Sequence, residues 1–500
     1  MKTAKMIVSK DFKFTKTSEM LFGSFVEHMG SVVYNGIYEP EHPSADENGF
    51  REDVIKIAKK LDLTVVRYPG GNFSSGYTWE DSVGPKEARP VKLDLAWRAV
   101  EPNSFGLNEF ILWTRKLQVD PIITINLGTR GIDAARNIVE YCNFPKGSYY
   151  SDLRRSHGFK EPHKIKTWCL GNELDGEWQI GRKTADEYGL LAREAAKVMK
   201  LVDPEIKLVA VGSSTRNMPD FPRWDKTVLM HTYDYIDYLS LHMYINKENN
   251  DTSTYLARSI DMDKQIKEIV STCDYVKSIK RSNKTIFLSF DEWNVVRIDS
   301  KGYIPWQTGS PIDRVLFSME DALVFGSMML TLLKNADRVK IACQSLLVNT
   351  QPLILTEKGG RVWRNTIFYP FMHVSKFGRG EVLVNLLDSP VYHNKDYGDV
   401  AVIDSVAVLN EKNNELTIFA INKSDEDVLL NIDIRDFREI SIKEHIMLKH
   451  ENINATNTAE NPLNVYPMKC DSTNIDNKYV ESIIKGYSWN VIRFSTSLKK

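Results

Sequence analysis

The chain has 500 residues, of which 42% are hydrophobic and 26% are charged, close to the averages of soluble globular proteins. This composition excludes a disordered chain and a fibrous one. Its 65 Lys and Arg residues balance 66 Asp and Glu residues, and the net charge of −1 argues against nucleic acid or an anionic membrane as a partner. Any partner must therefore be recognised by a local site.

The five cysteines and the first residues of the chain bear on its cellular location. The cysteines are widely spaced, with no C-x-x-C pair to indicate a zinc knuckle or a thioredoxin-like site. The N-terminal residues alternate polar and apolar side chains and lack the apolar core of a signal peptide, and no apolar run reaches the roughly 18 residues of a membrane span. Free thiols without an export signal predict a cytoplasmic protein.

Short apolar runs alternate with helical patterns between about residues 20 and 345. Near-continuous apolar strands are typical of a parallel sheet covered on both faces, and eight of them with intervening helices predict a (β/α)8 barrel. The runs are 21–29, 63–70, 121–128, 165–173, 206–212, 238–244, 285–293 and 338–347. After the fourth run, Thr184 and Glu187 predict a capping box that opens a helix through Met199, and Pro204 ends this helix.

The pattern changes after about residue 350, where strand-like segments are separated by turns rich in Asn and Asp. These segments predict a C-terminal all-β sandwich, jelly-roll-like, over residues 351–500. The alternating residues 1–18 are predicted to add a strand to this β domain, and residues 19–350 to form the barrel. Because no low-complexity linker separates the two domains, we expect them to pack rigidly together.

Two glutamates follow apolar strands at the C-terminal ends, where the active sites of such barrels lie. Glu173 ends WCLGNE on the fourth predicted strand, and Glu292 follows LSFD on the seventh. Strand alternation would point both toward the barrel mouth, so that they face each other across a pocket. A single glutamate at a strand end is usually solvated or ion-paired, but two facing carboxylates are what double-displacement glycoside hydrolysis needs.

Further polar residues at the strand ends have two interpretations each. Arg67 would keep Glu292 ionised, or would form an ordinary ion pair at the barrel rim. Tyr244 would position the nucleophile, or would be a core aromatic with a wet hydroxyl. His28 and His242 lack compact metal-ligand spacing, so structural or sugar-contacting roles are favoured over a metal site.

Glycine and tryptophan residues near these strand ends complete the candidate site. Gly70 and Gly71 fit no phosphate-loop pattern and are predicted to permit a tight turn that aims Asn72 at the site. Three tryptophans in predicted loops are candidate platforms for the apolar face of a sugar, with core or interface packing as the alternative; they are Trp97, Trp178 and Trp306.

Several segments resemble the α-L-arabinofuranosidases of glycoside hydrolase family 51. Each short stretch is weak alone, but the stretches run through the whole barrel and the domain order agrees, so the combination is specific. The matching stretches are GSFVEHMG (23–30), VVRYPGGNF (65–73), NLGTRG (126–131), WCLGNE (168–173), SLHMY (240–244) and LSFDEWNV (288–295).

The resemblance implies that Glu173 is the general acid/base and Glu292 the nucleophile of a retaining enzyme. It implies that the arabinofuranose ring or the two carboxylates are contacted by Glu27, Arg67, Asn72, Asn172, Tyr244 and Gln351. Residue chemistry adds Trp97 and His242 to these substrate-binding candidates. The resemblance also implies no metal or other cofactor, and often a homohexamer.

The chain departs from the family pattern at Val296 and Ile245, where aromatics are often found, and this leaves open the preference among arabinan, arabinoxylan and xylo-oligosaccharides. We predict a cytoplasmic, retaining, exo-acting α-L-arabinofuranosidase that removes terminal arabinofuranosyl groups from arabinan- or arabinoxylan-derived oligosaccharides. The alternatives are a β-xylosidase or an endo-glucanase on the same scaffold, and a non-catalytic carbohydrate-binding protein.

Overall fold

A computed structural model describes residues 1–247, 251–299, 301–437, 439–476 and 479–497. Within them, eight parallel strands close into a barrel in which neighbours along the chain are neighbours in the sheet. In chain order the barrel strands are Gly23–Phe25, Val65–Tyr68, Asp120–Thr124, Thr167–Cys169, Lys207–Ala210, Tyr238–Asn246, Phe287–Val296 and Val339–Gln344. Each strand overlaps one of the eight predicted apolar runs, so the predicted (β/α)8 barrel is confirmed.

Helices connect the barrel strands and follow the local sequence signals. The predicted capping box is present, because Thr184 Oγ1 accepts the Glu187 N–H at 3.3 Å and the Glu187 carboxylate accepts the Thr184 N–H at 2.8 Å. In the described part of the chain, no helix has the length and apolar character needed to cross a membrane. The α-helices are Glu52–Ala58, Leu107–Leu117, Ile132–Asn143, Tyr149–Ser156, Ala185–Val202, Arg223–Thr232, Thr252–Ala257, Ser259–Lys280, Met319–Lys334 and Phe368–Phe377.

The helix Met319–Lys334 is buried between the barrel and the second domain. All of its residues except the last are buried, which suits a helix that is apolar on every side. On one side Phe325 stacks on Trp293 of the seventh barrel strand, with ring centroids 4.8 Å apart. On the other side Gly326 lies against Trp489, and a Cβ at Gly326 would come within 2.7 Å of that indole. The two domains therefore share one packed core.

The second domain is strand-rich, as predicted, and is built on one ten-stranded sheet. The N-terminal strand Lys2–Lys16 lies inside this sheet, antiparallel to Glu381–Asp388 and parallel to Val428–Asp433. Across the sheet the strands are Met468–Lys469, Ile440–Leu448, Ser488–Thr496, Glu415–Asn422, Ile403–Asn410, Glu381–Asp388, Lys2–Lys16, Val428–Asp433, Tyr479–Ile484 and Thr473–Asp476.

The sheet curls so that its opposite ends meet around an apolar core. His445, near one end, and Thr473, at the other, are joined by a 2.8 Å hydrogen bond between Nδ1 and Oγ1. Between the barrel and this sheet, the hairpin 354–364 and the helix Phe368–Phe377 pack against barrel helices. The domain boundaries at residues 18 and 350 stay predictions.

Candidate active site

The seventh barrel strand brings two consecutive acidic residues, Asp291 and Glu292, into the barrel mouth. A regular strand would point neighbouring side chains to opposite faces. Here the register shifts between Ser289 and Glu292 on one side of the strand and between Phe290 and Trp293 on the other. Such irregularities re-aim side chains near functional sites, and both carboxylates are almost fully buried.

Arg67 and Tyr244 hold the Glu292 carboxylate from two sides. Arg67 Nη1 donates to Glu292 Oε1 at 2.7 Å, and the Tyr244 hydroxyl donates to Oε2 at 2.7 Å. The Tyr244 oxygen is also 2.8 Å from Ser345 Oγ, a contact that sequence reasoning missed. Burial would lower the pKa of Arg67, but the charges of Asp291 and Glu292 raise it well above its usual value. The predicted pairing of Arg67 with Glu292 is thus present in the structure.

Glu173 lies four residues beyond the end of the fourth barrel strand, Thr167–Cys169, so strand alternation does not aim it. Its backbone has φ 43°, in the left-handed region that non-glycine residues seldom adopt, and Gly171 just before it has φ 101°. This turn delivers the carboxylate to His242 Nδ1 at 2.9 Å and to Trp178 Nε1 at 2.6 Å. Burial and the charge of Glu292 raise the pKa of Glu173.

His242 lies among three carboxylates. Its Nδ1 is 2.9 Å from Glu173 Oε1 and 3.6 Å from Glu292 Oε2, and its Nε2 is 3.3 Å from Asp291 Oδ1. Burial alone would lower the pKa of His242, but Glu292, Asp291 and Glu173 raise it well above its usual value. The three carboxylates thus favour the charged form of the imidazole, which bridges the predicted acid and nucleophile.

Asp291 is a buried partner of this cluster to which the sequence analysis assigned no role. Its Oδ1 accepts the Ser240 hydroxyl at 2.5 Å, and its Oδ2 is 3.6 Å from Arg67 Nε. Burial would raise the pKa of Asp291, but Arg67 and His242 lower it. The adjacent acids in SFDEW could have indicated this role. Regular strand alternation, however, predicts that an Asp next to an inward-facing Glu points outward.

Glu27, two residues beyond the end of the first barrel strand, is a third carboxylate at the mouth. Its Oε1 accepts the Phe73 N–H and the Trp97 indole N–H, both at 2.9 Å. Burial and the charge of Glu292 raise the pKa of Glu27 to about 8. This pKa favours the protonated carboxylic acid at neutral pH, and that form can donate as well as accept a hydrogen bond.

Gly70 and Gly71 let the chain pass close to two of these carboxylates. A Cβ on Gly70 would come within 2.6 Å of Glu27 Cγ, and a Cβ on Gly71 would come within 2.8 Å of Glu292 Oε1. Glycine at these two positions therefore allows the backbone to pass close to the Glu27 and Glu292 side chains. Asn72 follows them, half-buried, at the start of the 3-10 helix Asn72–Ser75.

Asn172 and Gln351 differ in how fully their amides are engaged. Asn172 Oδ1 accepts Arg67 Nη2 at 2.7 Å, whereas its buried Nδ2 has no hydrogen-bond partner within the described ranges. The Gln351 side chain instead bonds the backbone of Arg297, through N–H to Oε1 at 3.2 Å and Nε2 to O at 2.6 Å. Asn172 thus keeps a buried donor for a ligand, and Gln351 does not.

The long connection after the seventh strand packs beside the mouth. The Tyr303 hydroxyl donates to the Trp97 backbone carbonyl at 3.1 Å, and the backbone N–H of Trp306 donates to the Arg98 carbonyl at 2.5 Å. These contacts join the connection to the hairpin of Lys92–Asp94 and Ala99–Glu101 that carries Trp97. Ile245, where the family often has an aromatic, is almost fully buried.

Glu173, His242 and Glu292 converge closely enough to be considered as metal ligands. One side-chain atom of each lies within 4.8 Å of the others. The same atoms already bond one another, since His242 Nδ1 is 2.9 Å from Glu173 Oε1. The absence of a metal from the working enzyme stays a prediction.

The sequence matches two family models and a series of curated proteins. The models are described as the alpha-L-arabinofuranosidase 1 domain, over residues 57–269, and the alpha-L-arabinofuranosidase C-terminal domain, over residues 291–488. The intracellular exo-alpha-(1->5)-L-arabinofuranosidase 1 of Bacillus subtilis (strain 168) is 54% identical over 99% of this chain and 99% of its own length. This chain belongs to the α-L-arabinofuranosidases of glycoside hydrolase family 51.

Solved structures of family 51 arabinofuranosidases have the same fold along nearly the whole chain. A family 51 alpha-L-arabinofuranosidase from Bifidobacterium longum is 38% identical, with a TM-score of 0.95 over 99% of this chain and 100% of that one. The arabinose complex of the Thermotoga maritima enzyme is 31% identical, with a TM-score of 0.88 over 98% of this chain and 99% of that one. The predicted family and enzyme class are thus confirmed.

Proposed function

We propose that this family 51 enzyme is a retaining, exo-acting α-L-arabinofuranosidase that works by double displacement. The observation that carries the proposal is the close approach of Glu173 and Glu292, because a carboxylate oxygen of one lies within 4.8 Å of a carboxylate oxygen of the other. Retaining glycosidases hold their two carboxyl groups about 5–5.5 Å apart, whereas inverting ones need roughly 6.5–9.5 Å to admit water. The spacing here supports retention of configuration.

In the first step a Glu292 oxygen attacks the anomeric carbon, the glycosidic C–O bond breaks, and Glu173 gives its proton to the leaving oxygen. In the second step water attacks the same carbon, Glu173 takes the water proton, and Glu292 leaves. The raised pKa of Glu173 suits the acid, and the bonds from Arg67 and Tyr244 orient the attacking carboxylate.

The arabinofuranosyl group would be bound by polar groups around this pair. The open Nδ2 of Asn172 suits a sugar hydroxyl beside the reacting carbon, and Glu27 suits a hydroxyl as donor or acceptor. Asn72 and the indole of Trp97 complete the proposed sugar pocket. His242 and Gln351 fit positioning roles better, because their polar side-chain atoms already lie against protein partners.

The printed names of relatives bear on substrate and location. Relatives 54%, 53% and 50% identical, from Bacillus subtilis, Halalkalibacterium halodurans and Acetivibrio thermocellus, are named intracellular exo-alpha-(1->5)-L-arabinofuranosidases. A relative from Bifidobacterium longum, 41% identical, is named exo-alpha-(1->6)-L-arabinofuranosidase. We infer a cytoplasmic enzyme for terminal α-1,5-linked arabinofuranosyl groups of arabinan-derived oligosaccharides. Action on arabinoxylan fragments and assembly as a homohexamer stay predictions.

The test is the product formed from α-1,5-arabinobiose in the presence of methanol, followed by NMR. Retention gives methyl α-L-arabinofuranoside as the first product. The β anomer would overturn double displacement. Cleavage of aryl β-xylosides without cleavage of aryl arabinofuranosides would instead favour the xylosidase alternative.

A further inference from the structure

We propose that Ser345 is a positioning residue for the nucleophile: its hydroxyl oxygen accepts the Tyr244 hydrogen bond when Glu292 carries the glycosyl group, whereas Tyr244 donates to Glu292 in the free enzyme. This inference rests on the nucleophile role proposed for Glu292. It gives a part in the double displacement to a serine that the sequence analysis did not consider.

The Tyr244 hydroxyl has two acceptors within hydrogen-bond distance. Its oxygen is 2.7 Å from Glu292 Oε2 and 2.8 Å from Ser345 Oγ. Burial and the charge of Glu292 raise the pKa of Tyr244 well above its usual value, so the phenol keeps its one proton at neutral pH. One proton cannot make a full hydrogen bond to both oxygens, so the state of Glu292 decides which oxygen receives it.

Ser345 is held in place by the same strand that carries Glu292. It directly follows the eighth barrel strand, Val339–Gln344, and is 3% exposed. Its N–H donates to the Trp293 carbonyl at 3.1 Å, and its own carbonyl accepts the Asn294 side-chain amide. These two partners are the residues that follow Glu292 in the seventh strand, so the serine hydroxyl keeps a fixed place relative to the nucleophile.

The Ser345 hydroxyl is available to receive this bond. In the described part of the chain, Tyr244 is its one hydrogen-bond partner. A serine oxygen carries two lone pairs, and its own proton can rotate away from a donor that approaches it. Ser345 therefore accepts from Tyr244 without the loss of another side-chain contact.

The strength of Glu292 as an acceptor changes during the reaction. The ionised carboxylate is a charged acceptor, and hydrogen bonds to charged groups are roughly twice as strong as neutral ones. With the glycosyl group attached, Glu292 is an uncharged ester, whichever of its oxygens attacked. Ser345 Oγ then offers Tyr244 a neutral acceptor, so the phenol O–H is not left unpaired. No proton leaves Tyr244 in this change, because only the direction of its O–H bond differs.

The second acceptor stabilises the glycosyl-enzyme and the transition state that leads to it. In the free enzyme Tyr244 already has its charged acceptor, so Ser345 contributes little to that state. The contribution grows as Glu292 loses charge, and only such a difference between states accelerates a step. Loss of the Ser345 hydroxyl therefore slows formation of the glycosyl-enzyme without slowing its hydrolysis.

The experiment places Ser345→Ala in two backgrounds, the wild-type enzyme and Tyr244→Phe, which has no hydroxyl to redirect. The matched control is Ser24→Ala, at a buried serine whose hydroxyl donates to Gln344 at 3.1 Å, at the end of the eighth strand. With 2,4-dinitrophenyl α-L-arabinofuranoside, kcat/KM reports formation of the glycosyl-enzyme. A burst of dinitrophenolate shows that hydrolysis of the glycosyl-enzyme limits turnover, and kcat then reports that hydrolysis.

We expect Ser345→Ala to lower kcat/KM by about 3- to 10-fold, the loss of one neutral hydrogen bond, and not to lower kcat. In the Tyr244→Phe background the same substitution should change kcat/KM by less than about twofold. The control Ser24→Ala should change kcat/KM and kcat by the same factor. An unchanged kcat/KM in Ser345→Ala, equal losses in the two backgrounds, or equal losses of kcat/KM and kcat would each overturn the proposal.

A structure of the glycosyl-enzyme tests the proposal without any change at Ser345, should that variant fold poorly. Glu173→Ala enzyme supplied with the dinitrophenyl substrate should accumulate this intermediate, because it lacks the base that activates water. We expect the Tyr244 oxygen to stay about 2.8 Å from Ser345 Oγ and to lie beyond about 3.2 Å from Glu292 Oε2. A Tyr244 oxygen that remains within that distance of Oε2 would refute the proposal. If no glycosyl group forms on Glu292 at all, double displacement itself fails, and that result is distinct from a failure at Ser345.

Discussion

The end of the seventh barrel strand and the connection after the fourth strand hold their carboxylates by different means. Glu292 lies inside a long strand. One of its carboxylate oxygens accepts a hydrogen bond from the buried Arg67, and the other accepts one from Tyr244. Glu173 lies beyond a three-residue strand, in a left-handed turn, and one of its oxygens is bonded to the half-exposed Trp178. The barrel therefore holds the proposed nucleophile on both oxygens, whereas the proposed acid/base is held partly by a residue at the surface.

Removal of Glu292 tests the carboxylate that is held on both oxygens. Glu292→Ala should lower kcat by more than about 10³-fold on every arabinofuranoside, because the proposed covalent intermediate forms on the Glu292 carboxylate. Azide, a small anion, should restore part of the turnover by taking the place of the lost carboxylate. The measurement is the release of nitrophenol with and without azide. Near-normal activity without azide would mean that another residue attacks.

Removal of Glu173 tests the carboxylate that is held partly at the surface, and its effect should depend on the leaving group. Glu173→Ala should lower kcat/KM for arabinobiose by roughly 10²–10⁴-fold, the usual contribution of general acid catalysis. Dinitrophenolate leaves without a proton, so the first step with an activated aryl substrate should suffer far less. The control is Glu177→Ala, an exposed glutamate on the same loop. Equal losses on both substrates would contradict the acid role.

Asp291→Asn tests whether the buried cations depend on this carboxylate. Arg67 and His242 would lose a common partner, and breaking a buried ion pair costs about 3 kcal/mol of unfolding free energy. Ser240→Ala removes only the hydroxyl that bonds Asp291 and should cost about 1 kcal/mol. Chemical denaturation measures both. Equal small losses in the two variants would show that the charge of Asp291 stabilises neither cation.

The Glu27→Gln variant tests the third carboxylate through the pH dependence of stability. Burial raises the pKa of Glu27 from 4.5 to about 8, so the folded protein keeps a proton that the unfolded chain loses. Wild-type stability should therefore fall as pH rises from about 4.5 to about 8, whereas Gln does not titrate. The stability gain of Glu27→Gln over wild type should grow across this window and exceed about 1 kcal/mol at pH 8. Thermal melts of both proteins at a series of pH values measure this stability difference, and Glu177→Gln is the control. A stability difference that does not change with pH would show that Glu27 is ionised in the folded protein.

Local patterns in the sequence were sufficient for the barrel strands and for the helix cap at Thr184. Apolar runs and capping residues act over a few neighbours, and each predicted run overlaps an observed strand. The candidate pair Glu173 and Glu292 also converges as expected. The prediction that strand alternation points Glu173 toward the mouth was wrong. A turn that includes Gly171 places this side chain there instead.

Such local patterns could not predict contacts between residues that are far apart in the chain. The adjacency of Asp291 and Glu292 follows from irregular pairing with both neighbouring strands. Gln351, predicted to contact the sugar ring or the carboxylates, bonds the backbone of Arg297 through its side chain, across a long loop whose path no local rule describes. Its contact with a bound substrate stays a prediction. Trp178 was predicted as a candidate platform for a sugar. Its hydrogen bond to Glu173 depends on an indole ring that lies over Gly176, which the local sequence does not indicate.

Periodicity, capping and motif residues are properties of neighbouring positions, so the architecture, the family and the two glutamates that meet could be predicted from the amino-acid sequence. The charge states favoured at the mouth could not be predicted in this way: the pKa of His242 is raised well above its usual value, the pKa of Glu27 is raised to about 8, and Asp291 lies beside Arg67. The physical reason is that burial and the separation of charges set these states, and both arise only when strands far apart in the chain close into one barrel.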